Sequence, residues 1–251
     1  MIDTLRIEKR AVFDRSFLYR AKGKNMKHSQ TIIDSVEPRR SPYTHLIWDF
    51  NGTVLDDVRL GIDCVNTMLA KRGLPILPDE ESYRRVFGFP IDAYYRRLGF
   101  DFEKEDYDTV LAPEWVALYL AGENTCTVRE GVTATIAAVR ARGVRQIMLS
   151  ASNRTQLEAQ LARLGLKQEF EEILGLDNIH ARSKKALAME WKERNPTACP
   201  LFVGDTEHDA DVADAIGADC ILLSGGHQHQ ERLSARGKIV VSSVTDLLAY
   251  I

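Results

Sequence analysis

A short apolar stretch that ends in an acid places the strongest constraint on the fold of this chain. Residues 45–48 (His-Leu-Ile-Trp) are too few for a helix and suit a buried β-strand. Asp49 comes next and is followed at once by an Asn-Gly-Thr turn. Because open α/β sheets bind ligands at the carboxyl ends of their strands, the pattern predicts that Asp49 lies at a ligand-binding edge. For one isolated segment, an acid that merely starts a turn is the alternative.

From about residue 128 the sequence alternates between helical periodicity and short apolar runs. The apolar runs predict strands at 146–149, 172–175, 201–204, 220–223 and 238–241. Helices are predicted between them at 132–142, 155–164, 183–194, 208–216 and, after the last strand, 245–250. Such alternation predicts the α/β class, with a doubly wound parallel sheet and right-handed crossovers.

Residues 58–126, here called the helical insert, show no strand pattern. Asp57 is a candidate N-cap for a first helix that stops at Gly73, and further helices are predicted at 79–87, 91–98 and 104–120. We therefore predict a small helical domain inserted into a core domain made of residues 44–57 and 127–251. Residues 1–43 form an N-terminal extension, and its first 40 residues hold ten Lys or Arg against five Asp or Glu, which favours loose order.

Composition excludes several classes of function. An apolar content of 45% and a charged content of 27% are typical of globular proteins, and a net charge of −3 argues against non-specific nucleic-acid binding. The chain contains no apolar run of about 18 residues and no apolar signal-peptide core, so neither a membrane partner nor export is expected. We expect a cytoplasmic protein.

Further polar residues follow the later strands or begin their helices. Ser150 ends one strand, Lys184 begins a helix, and Gly204 precedes Asp205 and Asp209. In a parallel sheet these side chains converge on the edge that holds Asp49. Carboxylates with a lysine and a hydroxyl suit a hard divalent cation such as Mg²⁺ together with a phosphate.

These segments resemble the motifs of the haloacid dehalogenase superfamily. Asp49-Phe50-Asn51-Gly52-Thr53 is similar to the first motif, normally Asp-x-Asp-Gly-Thr, and Ser150 and Lys184 are similar to the second and third. Residues 204–209 (Gly-Asp-Thr-Glu-His-Asp) are similar to the fourth. The resemblance covers about 44–251 and implies a Rossmann-like core with an α-helical cap, nearest to the phosphoglycolate phosphatase-like enzymes.

The resemblance also implies a role for each motif residue. Asp49 would attack phosphorus and form an aspartyl-phosphate, while Ser150 and Lys184 would hold the phosphoryl oxygens. Mg²⁺ would be held by Asp49, the backbone carbonyl of Asn51 and Asp205, with Asp209 ordering bound water or Lys184. Further phosphate-binding positions are implied at Gly52, Thr53 and Ala151.

Asn51 departs from the family pattern, because the corresponding aspartate is the general acid and base of the family's phosphatases. An amide cannot carry a proton near neutral pH, and such help is worth about 10²–10⁴-fold in rate. Several explanations stay open. The chain could be a slow phosphatase for esters with good leaving groups, and Asp56, Asp57 or His208 could supply the proton. It could instead be a non-catalytic phosphate-binding protein, or carry Asn51 as an introduced substitution that traps a complex.

Two other sets of residues were candidates for ligand binding. The arginines of Tyr83-Arg84-Arg85 and Tyr95-Arg96-Arg97 could clamp a second anionic group, although solvated helix faces are the commoner outcome. His227 and His229 could bind a metal, but a solvated loop pair is favoured.

We therefore predict a Mg²⁺-dependent phosphatase acting on a small phosphorylated metabolite, as a monomer or homodimer. The alternatives are a slow or non-catalytic relative that binds a phosphate ester in a regulatory role, or a phosphonatase or dehalogenase.

Overall fold

Six parallel strands form the sheet on which the described part of the chain is built. The computed structural model describes residues 41–176 and 183–251, so the predicted order of residues 1–40 lies outside it. The sheet order is β5-β4-β1-β6-β7-β8, with every neighbouring pair parallel. The predicted α/β parallel architecture is therefore confirmed. The strands are β1 His45–Trp48, β2 Leu55–Asp56, β3 Thr127–Val128, β4 Arg145–Asn153, β5 Glu172–Leu176, β6 Pro200–Gly204, β7 Asp219–Leu223 and β8 Ile239–Val241.

The central strand β1 is buried on both of its faces. Leu46 and Trp48 pack into the apolar cluster on one side of the sheet, and Ile47 packs into the cluster on the other side. This explains why β1 is continuously apolar rather than alternating. Trp48 lies opposite Met148 of β4 and Val203 of β6, so the residues that follow these three strands meet at one edge.

Helices cover both faces of this sheet. The core helices are α5 Val132–Ala141, α6 Arg154–Arg163, α7 Lys184–Arg194, α8 Glu207–Ala215 and α9 Gln230–Ala235, and the chain closes with a 3₁₀ turn at Val244–Ala249. The six-residue α9 was not predicted, because it is too short to show helical periodicity. The final segment is 3₁₀ rather than the expected α-helix.

The helical insert has an apolar cluster of its own. It contains α1 Val58–Lys71, α2 Glu80–Val86, α3 Ile91–Arg97 and α4 Ala112–Gly122, and Tyr107–Leu111 forms a π-helical turn ahead of α4. The predicted helix at 104–120 therefore begins later, since the Asp106 side chain accepts a hydrogen bond from the Thr109 N–H and starts the turn there. None of the helices in the two described ranges is long and apolar enough to span a bilayer.

Two very short strands stand on either side of the insert. Leu55 and Asp56 of β2 pair antiparallel with Val128 and Thr127 of β3. Neither strand was predicted, because two residues are too few to show an alternating pattern. Their pairing brings the chain back to within one strand spacing of the point where it left the core.

Removing methyl groups from the centre of the sheet should destabilise the fold. We expect Ile47→Ala, at a side chain 1% exposed in β1, to lower the free energy of unfolding by about 2–5 kcal/mol. The matched control is Ile239→Ala in β8, where the side chain is 44% exposed and a change of within about 0.5 kcal/mol is expected. Urea unfolding of both variants measures the difference, and equal losses would contradict the central position of β1.

Candidate active site

The carboxyl edge of the sheet opens into a cavity of about 600 Å³. Its wall includes Asp49 after β1, Ser150 within β4, Lys184 at the start of α7, and Asp205 and Asp209 after β6. All five of these predicted site residues are buried. The structure therefore brings together side chains that are up to 160 residues apart in the sequence.

Lys184 lies between two of the three acids. Its ammonium group donates hydrogen bonds to Asp49 Oδ1 and, at 2.6 Å, to Asp209 Oδ1. Candidate ligand oxygens of Asp49, Asp205 and Asp209 lie within 4.8 Å of one another. One ammonium group thus faces a cluster of three carboxyls.

Asp209 is held by the start of helix α8. Its Oδ2 accepts hydrogen bonds from the backbone N–H groups of Asp205 (3.1 Å) and Thr206 (2.9 Å) and from the Thr206 hydroxyl (2.7 Å). This is a capping-box arrangement, which fixes the carboxylate relative to the helix. Since its other oxygen accepts from Lys184, the geometry favours Asp209 as the residue that orders the lysine.

Asp205 is held by two hydrogen bonds, and two glycine backbones pass close to its carboxylate. Its Oδ1 accepts from the Thr53 hydroxyl (3.1 Å), and its Oδ2 accepts from the His227 backbone N–H (2.6 Å). A Cβ at Gly52, where φ is +71°, or at Gly226 would overlap the Asp205 carboxylate. Both positions therefore require glycine.

Burial and charge act together on these groups. Burial raises the pKa of Asp49 well above its usual range and also raises that of Asp205, and the neighbouring carboxylates add to both shifts. Burial would raise the pKa of Asp209 too, but Lys184 and the Thr206 hydrogen bond hold it below its usual value. The pKa of Lys184 is raised, because Asp209 and Asp49 outweigh the effect of burial.

The side-chain amide of Asn51 hydrogen-bonds to three neighbouring side chains. Its Nδ2 donates to Asp57 Oδ2 (2.7 Å) and to the Tyr119 hydroxyl (2.8 Å), and its Oδ1 accepts from the Ser152 hydroxyl (3.0 Å). The amide therefore has both hydrogens and one lone pair in use, and it has no N–H left to offer a substrate.

Asp57 plays a different part from the one expected. It precedes α1 as predicted, but its side chain makes no capping bond to that helix. Instead it accepts from the Gly52 N–H (2.8 Å) and the Tyr119 hydroxyl (2.8 Å) and pairs with His227 Nε2 (3.0 Å). Of the predicted alternative proton carriers, Asp57 and His208 line the cavity, whereas Asp56 is exposed in β2.

His227 is buried, which contradicts the expectation of a solvated loop histidine. Its ring nitrogens contact Asp57 and the Tyr83 hydroxyl (2.8 Å), so neither is free to bind a metal. Burial would lower its pKa, but Asp57 raises it to about 9. His229 contacts Glu81 (2.9 Å) and accepts from the Glu231 N–H at the start of α9.

The predicted phosphate-binding residues divide into two groups. Ser150 and Ala151 line the cavity, and the Ser150 hydroxyl oxygen is oriented by the Ser152 N–H at 3.1 Å. Gly52 and Thr53 are not among the lining residues, and their donors are bound to Asp57 and Asp205.

The arginines of the helical insert also lie away from the cavity wall in the described residues. Arg84 donates to the carbonyls of Gly225 and Gly226, and Arg97 donates to the Val86 carbonyl. Arg85 pairs with glutamates, and Arg96 lies over the Phe102 ring at 4.1 Å. None of these four arginines lines the described cavity, so the less favoured interpretation of them as an anion clamp has no support here.

The acidic cluster suits a hard divalent cation. Carboxyl oxygens are the ligand type that Mg²⁺ prefers, and candidate oxygens of the buried Asp49, Asp205 and Asp209 lie within 4.8 Å of one another.

Comparisons with known proteins agree with this geometry. The chain is 26% identical over 204 residues to a phosphoglycolate phosphatase of Pseudomonas syringae, covering 78% of this chain and 75% of the relative. It is 25% identical over 208 residues to the tyrosine-protein kinase PtkA of Mycobacterium tuberculosis, covering 82% and 70%.

Solved structures share the fold. A haloacid dehalogenase-like family hydrolase from Streptococcus pneumoniae superposes with a TM-score of 0.70 at 17% identity, over 83% of this chain and 98% of that one. The Mycobacterium tuberculosis PtkA structure gives 0.68 at 22% identity, over 82% and 97%. Residues 46–223 match the family model described as haloacid dehalogenase-like hydrolase. The chain belongs to the haloacid dehalogenase-like hydrolase family.

Proposed function

We propose that this protein is a Mg²⁺-dependent phosphatase whose nucleophile is Asp49. The observation that carries the proposal is the buried cluster of Asp49, Asp205 and Asp209, joined to Lys184 at the wall of a cavity. The phosphoglycolate phosphatases among its relatives support the same reaction class.

Each side chain has a definite task in this reaction. The Asp49 carboxylate attacks phosphorus and forms an aspartyl-phosphate, while the ester oxygen leaves with the electron pair of the broken P–O bond. Lys184 and the Ser150 hydroxyl bind phosphoryl oxygens, and Lys184 also offsets repulsion between an anionic nucleophile and an anionic substrate. Asp49, Asp205 and the backbone carbonyl of Asn51 would hold the Mg²⁺ ion, which would further stabilise the negative charge of the phosphoryl group. Water then cleaves the aspartyl-phosphate and releases inorganic phosphate.

The helical insert would act as a cap over this site. Its side chains Tyr83 and Tyr119 contact His227 and Asp57 of the core, and its helices form much of the cavity wall. A cap in this position excludes water from the reacting atoms.

A second candidate is a phosphate-ester-binding protein with little or no turnover. The observation that favours it is the amide at position 51, which is held by three hydrogen bonds and cannot carry a proton. Phosphonatase chemistry through a cap lysine has less support, because the helical insert contributes no lysine to the described cavity wall.

Removing the nucleophile should abolish phosphate release. We expect Asp49→Asn to lower kcat on an aryl phosphate by about 10³–10⁶-fold, since covalent attack is lost. The matched control is Asp63→Asn, an exposed acid on α1 that should leave the rate unchanged. Chelation of Mg²⁺ should abolish turnover reversibly. Equal rates for wild type and Asp49→Asn would contradict the phosphatase proposal.

Restoring a carboxyl at position 51 should increase turnover. The introduced carboxyl would face Asp57, whose Oδ2 now lies 2.7 Å from the amide nitrogen of Asn51. Two carboxyls this close to each other retain a shared proton. We expect Asn51→Asp to raise kcat on alkyl phosphates by about tenfold or more, with a smaller gain on aryl phosphates whose leaving group needs no proton. Asn124→Asp, at an exposed position, is the control. No gain on either class would show that the missing acid does not limit the rate.

A further inference from the structure

The cavity wall is aromatic where the helical insert meets the core. The insert contributes eight aromatic side chains to it: Tyr83, Phe87, Phe89, Tyr94, Tyr95, Tyr107, Trp115 and Tyr119. Most of their mutual contacts are edge-to-face, whereas Trp115 and Tyr119 stack with 4.9 Å between ring centroids and 21° between planes. Phe89 lies against His208 at 4.7 Å and is 39% exposed, so part of its ring is free to contact a ligand. Such a wall suits a flat apolar group.

Among the described residues, the positively charged groups that line this cavity are Lys184 and His227, whose pKa is raised to about 9, and both are paired with carboxylates. Among the described lining residues Lys184 is the single lysine or arginine, and it is bound to Asp49 and Asp209. Glu123 also lines the wall and accepts a hydrogen bond from Gln160. A second anionic group on the substrate would therefore be buried beside a carboxylate with no guanidinium to pair with it, which is unfavourable.

We propose that the phosphate ester bound here carries an uncharged aromatic group; this substrate class rests on the proposed function. The aromatic group lies among the rings of the insert. The proposal also fits Asn51. When the ester oxygen is phenolic, with a pKa of about 10 like that of tyrosine, it departs as a phenolate and takes the electron pair of the P–O bond without needing a proton.

Binding separates the ligand class from the chemistry. The probes are 2-phenylethylphosphonate and 3-phosphonopropionate, which share the phosphonate and two-carbon linker and differ in ending with a phenyl ring or a carboxylate. With Mg²⁺ present, calorimetry on the full chain should show the phenyl compound binding about tenfold tighter or more. Equal affinity, tighter binding of the carboxylate, or no binding of either would overturn the proposal.

Turnover then tests the same preference in catalysis. Benzyl phosphate and phosphoglycolate both release an aliphatic alkoxide, so their comparison reports the cavity rather than the leaving group. We expect kcat/KM to favour benzyl phosphate by about tenfold, and Phe89→Ala to reduce that preference by about threefold to tenfold. Val110→Ala is the matched control, because Val110 is also 39% exposed but does not line the cavity.

The two proposals fail in distinguishable ways. A phenyl preference in binding with no Asp49-dependent turnover would remove the phosphatase and leave the ligand class standing. Asp49-dependent turnover that favours phosphoglycolate would keep the phosphatase and remove the aromatic substrate class.

Discussion

The buried contact of Lys184 with Asp49 and Asp209 governs the carboxyl edge of the sheet. Moving three carboxyls out of water is costly unless positive charge or hydrogen-bond donors accompany them. The capping box of α8 supplies donors to Asp209, and Thr53 and the His227 backbone supply them to Asp205. Asp49 has Lys184 as its charged partner, while burial and the neighbouring carboxylates raise its pKa. A divalent cation of the kind proposed above would add positive charge beside Asp49.

A hydrogen-bond network centred on Asp57 lies beside this cluster. Asp57 joins Asn51, Tyr119 and His227 through hydrogen bonds of 2.7–3.0 Å, so a carboxyl of the core is shared with the helical insert. Because residue 51 is an amide, it contributes hydrogen bonds to this network but cannot carry a proton. An enzyme built in this way is best matched to esters whose leaving groups depart unaided, and the aromatic wall provides room for such groups.

Much of this arrangement could be predicted from sequence, because it depends on local pattern. Apolar runs that end in Asp49, Ser150 and Gly204 fix both the strands and the edge at which they converge. Asp57 and His227 could not be assigned in the same way, since their roles come from contacts 170 residues apart in the chain. Gly226, directly before His227, was the available signal, as it permits the backbone to approach Asp205. The partners of the arginines could not be predicted, because a long flexible side chain on a helix can reach several neighbours and the sequence does not record which one it contacts.

The short ribbon of β2 and β3 has a consequence for how such a protein can change over evolutionary time. Since Leu55 pairs with Val128 and Asp56 with Thr127, the core is sensitive mainly to the separation of these two ends and little to what the chain does between them. The entropy of closing the excursion grows only slowly with its length, by about 0.6 kcal/mol for each doubling. Insertions, deletions or replacement of the intervening helices should therefore change the free energy of closing this excursion only slightly. Under the proposed function, the ribbon would let the helical insert change while the residues that bind phosphate stay in place.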